Sequence, residues 1–270
     1  MSGAAEVERA IRSALAPGGL GRPLVVLPTC GSTMDEARAR LADGAGPGLV
    51  VIALEQTAGR GRQGRTFVSP RGGLYLTAAL KPPPDPSVAW RLGFAAALAA
   101  RHAVTAAGGP ELGFEWPNDL VFGGRKMGGI LAEFLGRGGP GGGPIVLLGI
   151  GLNVGPDPRA IDPGKAGPAG PIPFPEPARA LSAVAAALLD ALGGWAEAVG
   201  AEVGWTGALE SVRAASAASR GAPVRIQEPD GCVIDGVGEG IRDDGALLVR
   251  IAEGVGRRVV AVRYGERLWG

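Results

Sequence analysis

Residues 55–70 read EQTAGRGRQGRTFVSP, and the rest of the chain is best read outward from them. From Gln56 to Pro84 there is no acidic residue, while Arg60, Arg62, Arg65, Arg71 and Lys81 all fall inside that span. In a chain of formal net charge +1, this is a concentrated positive patch. Gly59, Gly61 and Gly64 carry no side chain, so backbone amides there can approach a ligand closely. The interleaved guanidinium groups add forked donors matched to phosphate and carboxylate oxygens. The segment reads as an anion cradle. Three other readings compete with it. A solvated polar loop has a similar composition. Nucleic-acid binding needs a wider basic footprint than this near-neutral chain offers. The spacing Gly59-x-Gly61-x-x-Gly64 matches a dinucleotide fingerprint, but that fingerprint needs a strand directly before it and a helix directly after. Here Glu55 to Ala58 intervene, and a Ser-Pro turn follows.

Upstream, LVVLP (24–28) and LVVIAL (49–54) have strand length and apolarity. Between them, 33–42 is predicted as a short helix, capped by Ser32 or Thr33 with Glu36 placed for a capping box. Downstream, LYLTAAL (74–80) predicts a strand and 86–108 a long helix with Leu92, Ala96, Ala99 and Ala103 facing a sheet. Short strands are expected around Trp116 and across GGILAEF, then a buried strand at 145–154. The Gly-Pro stretch 136–144 reads as a hairpin tip, and 155–177, with its eight prolines, as an irregular loop. A second long helix carries Leu181, Val184, Leu188, Leu192 and Trp195 on one face, and another covers about 200–219. After Gly221 the pattern changes to short β-runs separated by Pro229-Asp230-Gly231 and Asp243-Asp244-Gly245 turns, the signature of a small β-barrel. The expected division is an N-terminal extension at 1–23, an α+β unit at 24–220 and a small barrel at 221–270.

Composition bounds the function. With 270 residues, 46% of them hydrophobic, the chain buries a core and is not disordered. Two cysteines, Cys30 and Cys232, give neither a disulfide framework nor a metal-ligand set. The first residues contain Glu6, Glu8, Arg9 and Arg12 and no apolar run, unlike a signal peptide. The apolar stretch at 94–107 is broken by Arg101 and His102 and is too short to span a bilayer. A cytoplasmic protein with reduced thiols is expected, bound to neither membrane nor nucleic acid. His102, the sole histidine, reads as a helix residue rather than a base, and Cys30 as a small buried hydrophobe.

Two more segments point to chemistry. WPNDL (116–120) precedes RKMGGILAE (125–133), which sets Lys126 at a strand mouth beside the arginine loop. GIGLNV (149–154) ends an apolar strand on Asn153, whose amide can reach a ligand. Taken alone, Lys126 reads as a surface lysine and Asn153 as a turn residue.

Together and in this order, GRGRQGR, WPNDL, RKMGGILAE and GIGLNV resemble the biotin–protein ligases over nearly the whole chain from residue 24. The resemblance implies an α+β fold: a mixed β-sheet catalytic domain of the biotin/lipoate ligase type flanked by helices, followed by an SH3-like barrel. It implies biotin and ATP, with Mg²⁺, as substrates and cofactor, and a biotin carboxyl carrier protein of acetyl-CoA carboxylase as partner. Some members pair as homodimers. Ser32, Thr33 and Gln56 are then expected at biotin, with Met34 standing where the family has an amide. Arg60, Gly61 and Arg62 fold over biotin and the adenylate, and Lys126, beside Gly128 and Gly129, meets the biotin carboxylate and α-phosphate. Arg62 and Lys126 are the expected catalytic pair. Phe67, Trp116, Asn118, Asp119 and Asn153 are expected on the nucleotide side, with no metal ligand assigned. Glu115 reverses a charge that is often a lysine in the family. Lipoate ligation on the same fold is the sibling reading, disfavoured by Gly-Arg-Gly-Arg and Lys126-Met-Gly-Gly. A biotin-responsive repressor needs a winged helix-turn-helix ahead of residue 24, for which the preceding stretch is too short. A non-catalytic biotin binder would not need Lys126.

Overall fold

A computed structural model describes residues 3–136, 143–155, 169–253 and 256–268. The larger sheet contains β1 (Leu24–Leu27), β2 (Val50–Ala53), β3 (Leu74–Leu80), β4 (Gly113–Glu115), β5 (Asp119–Phe122), β6 (Arg125–Leu135) and β7 (Ile145–Leu152). Their order is β1-β2-β3-β7-β6-β5-β4. β1 and β2 run parallel, and every other neighbouring pair is antiparallel, so the sheet is mixed. β2 and β3 are buried at every position, because helices cover both faces of the sheet's centre. That explains why their sequences are continuous apolar runs rather than alternating ones.

Helix α2 (Thr33–Ala42) covers one face, packing Met34, Ala37 and Leu41 on Leu49, Val51, Ala79 and Leu147. The other face carries α1 (Ala4–Ala14), α3 (Arg91–Ala106), α4 (Pro177–Ala198) and α5 (Glu202–Ala215) around one large core. α3 starts later than the predicted 86, after a short 3-10 turn at Pro86–Val88. Its expected inward residues Leu92, Ala96, Ala99 and Ala103 are all essentially inaccessible. Its alanines let it lie close to α4 as well as to the sheet. α4 is long and apolar enough to cross a membrane, yet Val184, Leu188, Leu189 and Leu192 all lie in this core.

Two local expectations change. The N-terminal extension begins with a helix: Val7 and Ile11, one turn apart, enter the same core as α4. Ser32 is the residue before α2, but its hydroxyl makes no capping bond, and neither does Glu36 close a capping box onto it. The tip at 137–142 and residues 156–168 of the proline-rich loop lie outside the described residues.

A second sheet is antiparallel throughout: β8 (Pro223–Gln227), β9 (Val233–Ile241), β10 (Leu247–Glu253), β11 (Gly256–Val262) and β12 (Glu266–Arg267), in the order β11-β10-β9-β8-β12. The two turn signals read from the sequence fall between β8 and β9 and between β9 and β10. The two-residue β12 carried no sequence signal, and it becomes central to the site.

Candidate active site

One cavity gathers most of the expected residues. Its floor is built from glycines. Gly129 and Gly151 pair across β6 and β7. A Cβ on Gly151 would sit 2.6 Å from ring atoms of Phe67, and one on Gly128 would sit 2.4 Å from the Gly151 carbonyl oxygen. Phe67 therefore lies directly on a side-chain-free sheet, edge-on to Tyr75 at 6.4 Å between ring centroids. A side chain at Gly151 would lift Phe67 off this floor.

One end of the cavity is polar and neutral. Gln56 Oε1 accepts from the Thr33 backbone N–H at 2.8 Å and from the Thr33 hydroxyl at 3.1 Å. Gln56 thus satisfies the first amide of α2 from outside the helix. Its Nε2 donates to Ser69 Oγ at 2.8 Å, and Thr77 Oγ1 bonds Thr33 Oγ1 at 2.8 Å. Ser32 is left with a buried hydroxyl that has no protein partner. A buried hydroxyl in a cavity wall, unpaired by protein, is suited to a polar ligand. Met34 also lines this end, with its sulfur against Gly149, so it offers contact area and polarizability rather than an amide's hydrogen bonds. Cys30 is buried nearby, and burial, with Glu36 and Asp35 close, pushes its thiol up to about 11, so it stays protonated and inert.

The other end is cationic. The arginine loop is a folded hairpin: Gly61 N–H donates to Arg65 O at 2.8 Å and Phe67 N–H to Gly59 O at 2.9 Å. A Cβ at Gly59 would meet Phe67 O at 2.4 Å, so this closure requires glycine. Gln63 turns the tip with a positive φ of 53°. Arg60 leaves the hairpin towards α2, pairing with Asp35 at 2.9 Å. Lys126 Nζ pairs with Asp119 Oδ1 at 2.6 Å. Arg65 pairs with Glu266. Among the described residues Arg62 has no carboxylate partner within 4 Å; its Nη1 donates to Asn118 Oδ1 at 3.3 Å and to Gly265 O at 3.2 Å. Burial lowers its pKa from the ordinary value, opposed by Glu266 and Asp119. A half-buried guanidinium whose hydrogen bonds go to neutral acceptors is prepared for an anion. Burial raises the Asp119 carboxyl against the downward pull of Lys126, Arg62 and Arg65.

Ser32, Thr33, Met34, Gln56, Arg60, Gly61, Arg62, Phe67, Asn118, Asp119, Lys126, Gly128, Gly129 and Asn153 all line this cavity. Asn153 also acts as a clamp, its amide donating to Gly170 O at 3.0 Å. Trp116 does not line the cavity. It is 2% exposed, and its indole N–H donates to Gly245 O at 3.0 Å, joining the two sheets. Sequence reasoning did not single out Tyr75, Glu266 or Arg267, which also line the cavity. Arg267 answers the charge reversal at Glu115: the two form an ion pair, with Glu115 almost wholly buried.

Comparison with known proteins places this architecture. Residues 31–150 match the biotin/lipoate A/B protein ligase family. The biotin–[acetyl-CoA-carboxylase] ligase of Mycobacterium tuberculosis is 34% identical over 274 residues, covering 96% of this chain and 94% of the relative. This chain belongs to the biotin/lipoate protein ligase family. Its similarity within that family runs to proteins named as biotin ligases. That of Paracoccus denitrificans is 43% identical over 133 residues, covering 48% of this chain and 55% of its own. In fold, the chain is similar to a biotin protein ligase from Aquifex aeolicus in complex with biotin and ATP, with a TM-score of 0.67 and 21% identity, covering 90% of this chain and 97% of the other.

Proposed function

We propose that this chain is an ATP-dependent biotin–protein ligase that makes biotinyl-5′-AMP and transfers biotin to a lysine of a biotin carboxyl carrier domain of acetyl-CoA carboxylase. The observation that carries this reading is a single cavity whose neutral end presents the unpartnered Ser32 hydroxyl and whose other end presents Arg62 and Lys126. A small uncharged polar ring fits the first end, and a carboxylate meeting a phosphate fits the second. The relatives that the chain resembles are named as biotin–[acetyl-CoA-carboxylase] ligases.

In the first step a biotin carboxylate oxygen bonds to the α-phosphorus of ATP, and the bond to the β-phosphate oxygen breaks, releasing pyrophosphate. Two anions must approach each other. Arg62 and Lys126 offset their repulsion and hold the charge that gathers on the phosphoryl oxygens. In the second step a neutral lysine amine of the carrier attacks the acyl carbon, AMP leaves with the former carboxylate oxygen and the electron pair, and the nitrogen gives up one proton to solvent as the amide forms. The folded hairpin over the cavity excludes water from the mixed anhydride between the two steps. No nucleophilic side chain is needed.

Magnesium fits these residues. No cluster of three His, Cys, Asp or Glu occurs among the described residues, but an ion carried on a nucleotide's phosphates needs only one or two carboxylates. Asp119 and Glu266 both line the cavity. Bound there, magnesium would supply further positive charge to the phosphates.

The reading treats 24–220 as the catalytic region and 221–270 as an SH3-like unit, in a cytoplasmic enzyme that binds no nucleic acid and can pair as a homodimer. Incubation with biotin, MgATP and a carboxyl-carrier domain should add one biotin to the carrier by intact mass. Transfer of lipoate instead would move the assignment to the sibling activity. Arg60→Gly, which removes the hairpin's tie to Asp35, should release free adenylate. Labelling of bystander lysines should then rise about tenfold, as expected when a closure worth about 1.4 kcal/mol is lost. Unchanged bystander labelling would remove the retention role.

A further inference from the structure

Four charged side chains meet where the arginine hairpin approaches α2 and β6. Asp35 and Arg38 stand about one turn apart on α2. Glu133 belongs to β6, two residues beyond Leu131, which packs with the α2 side of the core. Strand alternation puts Glu133 on that same side. Arg60 comes from the hairpin, where it bridges Thr66. Asp35 Oδ1 takes both guanidinium groups, Arg60 Nη2 at 2.9 Å and Arg38 Nη1 at 3.1 Å. Glu133 divides its oxygens, with Oε2 on Arg38 and Oε1 at 3.8 Å from Arg60 Nη2. Two carboxylates are thus shared by two cations of different origin. One cation belongs to α2 and the other to the hairpin at the cavity.

The backbone bonds inside the hairpin close it on itself and do not tie it to α2. Arg62 and Arg65 tie it to Asn118, Gly265 and Glu266. Arg60 ties it to α2 and β6. Arg38 brings the same charge to the same carboxylates. It therefore opposes the Arg60 tie twice, by occupying the acceptors and by repelling the second guanidinium. Side-chain exposure runs from 29% for Glu133 to 57% for Asp35, so water and salt screen the network. Each pair then shifts an equilibrium by a few-fold rather than by orders of magnitude. A tie of that strength suits a cover that must open in every catalytic cycle.

We propose that Asp35 and Glu133 are positioning residues that hold the arginine hairpin closed through Arg60, and that Arg38 sets how firmly by competing for both carboxylates. None of the three contacts substrate. What the closed hairpin retains rests on the ligase reading above; the closure itself does not.

The test measures opening in the full chain without ligand. Trypsin cleavage after Arg62 and Arg65, read from fragment masses under limiting protease, follows the open population. Asp35→Asn and Glu133→Gln should each raise that cleavage about threefold, and Arg38→Gln should lower it by a similar factor. In an Arg60→Gly background all three substitutions should lose their effect, a non-additivity that general loosening of α2 or β6 would not produce. Added salt should raise cleavage of the unaltered protein and not of Arg60→Gly. Bystander-lysine labelling with biotin and MgATP should rank the variants in the same order. Faster cleavage in Arg38→Gln, or an Asp35→Asn effect that persists in Arg60→Gly, would overturn the proposal. The substitutions lie on partly exposed side chains at separate elements, so a folding defect in one leaves the other two to decide. Absence of biotin transfer by the unaltered protein would defeat the ligase reading alone, because the cleavage arms still decide this one.

Discussion

Lys126→Ala should lower the rate of biotinyl-adenylate formation by about 10²–10³-fold, the range seen when one preorganised charge stabiliser is removed from a water-poor site. Two effects act in the same direction. The ammonium proposed to meet the carboxylate and α-phosphate is lost. The carboxylate of Asp119, 2.6 Å from Nζ, is left bare in front of the incoming anions. Breaking such a pair by removing one partner costs more than the pair itself contributes, because an uncompensated charge remains. The variant should also acquire a pH dependence of a definite sign. Burial already raises the Asp119 carboxyl, and Lys126 is the strongest force opposing that rise. Without Lys126 the carboxyl moves further up. Lowering the pH then protonates it and removes the repulsion, so the variant regains part of its lost rate on the acid side. Stability follows the same sign: a carboxyl raised in the folded state stabilises least once pH exceeds its folded pKa. Pyrophosphate release measured from neutral pH downwards, alongside thermal melts, checks both statements. A variant that biotinylates a carrier at the normal rate would sink the assignment of Lys126.

Trp116→Ala should lower stability by about 3–5 kcal/mol, the usual cost of deleting a buried aromatic side chain. For a chain of this size the melting temperature then falls by on the order of 10 °C. The indole is 2% exposed and bridges the sheets through Gly245 O. Gly245 itself lies against Trp90, where a Cβ would approach the ring to 2.4 Å. Trp90 and Trp205 pack edge-on at 5.1 Å, and Trp205 donates from its indole to Asp243 O at 2.9 Å. The turn between β9 and β10 is thus seated on an aromatic cluster, with Trp116 as one of its anchors. Trp116→Phe keeps most of the volume and loses the hydrogen bond, for about 1 kcal/mol. ATP affinity of the folded variants should change less than twofold. An unchanged melt with weakened ATP binding would return Trp116 to the nucleotide side.

Much of the site was legible in the chain. The acid-free arginine segment, the Gly-Gly after Lys126 and the Gly-x-Gly of β7 are local patterns, and local backbone rules carry them: glycine is needed where Phe67 must rest on the sheet and where the hairpin must close on Gly59. Apolar runs of strand length and two long apolar helices gave the elements, and the resemblance carried by the motifs supplied their arrangement as a mixed sheet flanked by helices. The N-terminal helix was missed because Val7 and Ile11 are a short apolar stripe in a charged segment, and only packing on α4 makes it persist.

What the sequence determined by itself is the ordered set of motifs, the cationic character of the loop and the identity of the residues able to meet an anion. Tertiary structure alone decided how those charges are used. Gln56 accepts from the first amide of α2, and the buried Ser32 hydroxyl has no protein partner. Arg62 faces neutral acceptors while Lys126, Arg65 and Arg267 each meet a carboxylate. Glu115, a charge reversal without visible compensation along the chain, is answered by Arg267, 152 residues away. The physical reason is range. Backbone propensity and periodicity act over a few residues, whereas pairing of buried charges depends on which strands the fold brings side by side.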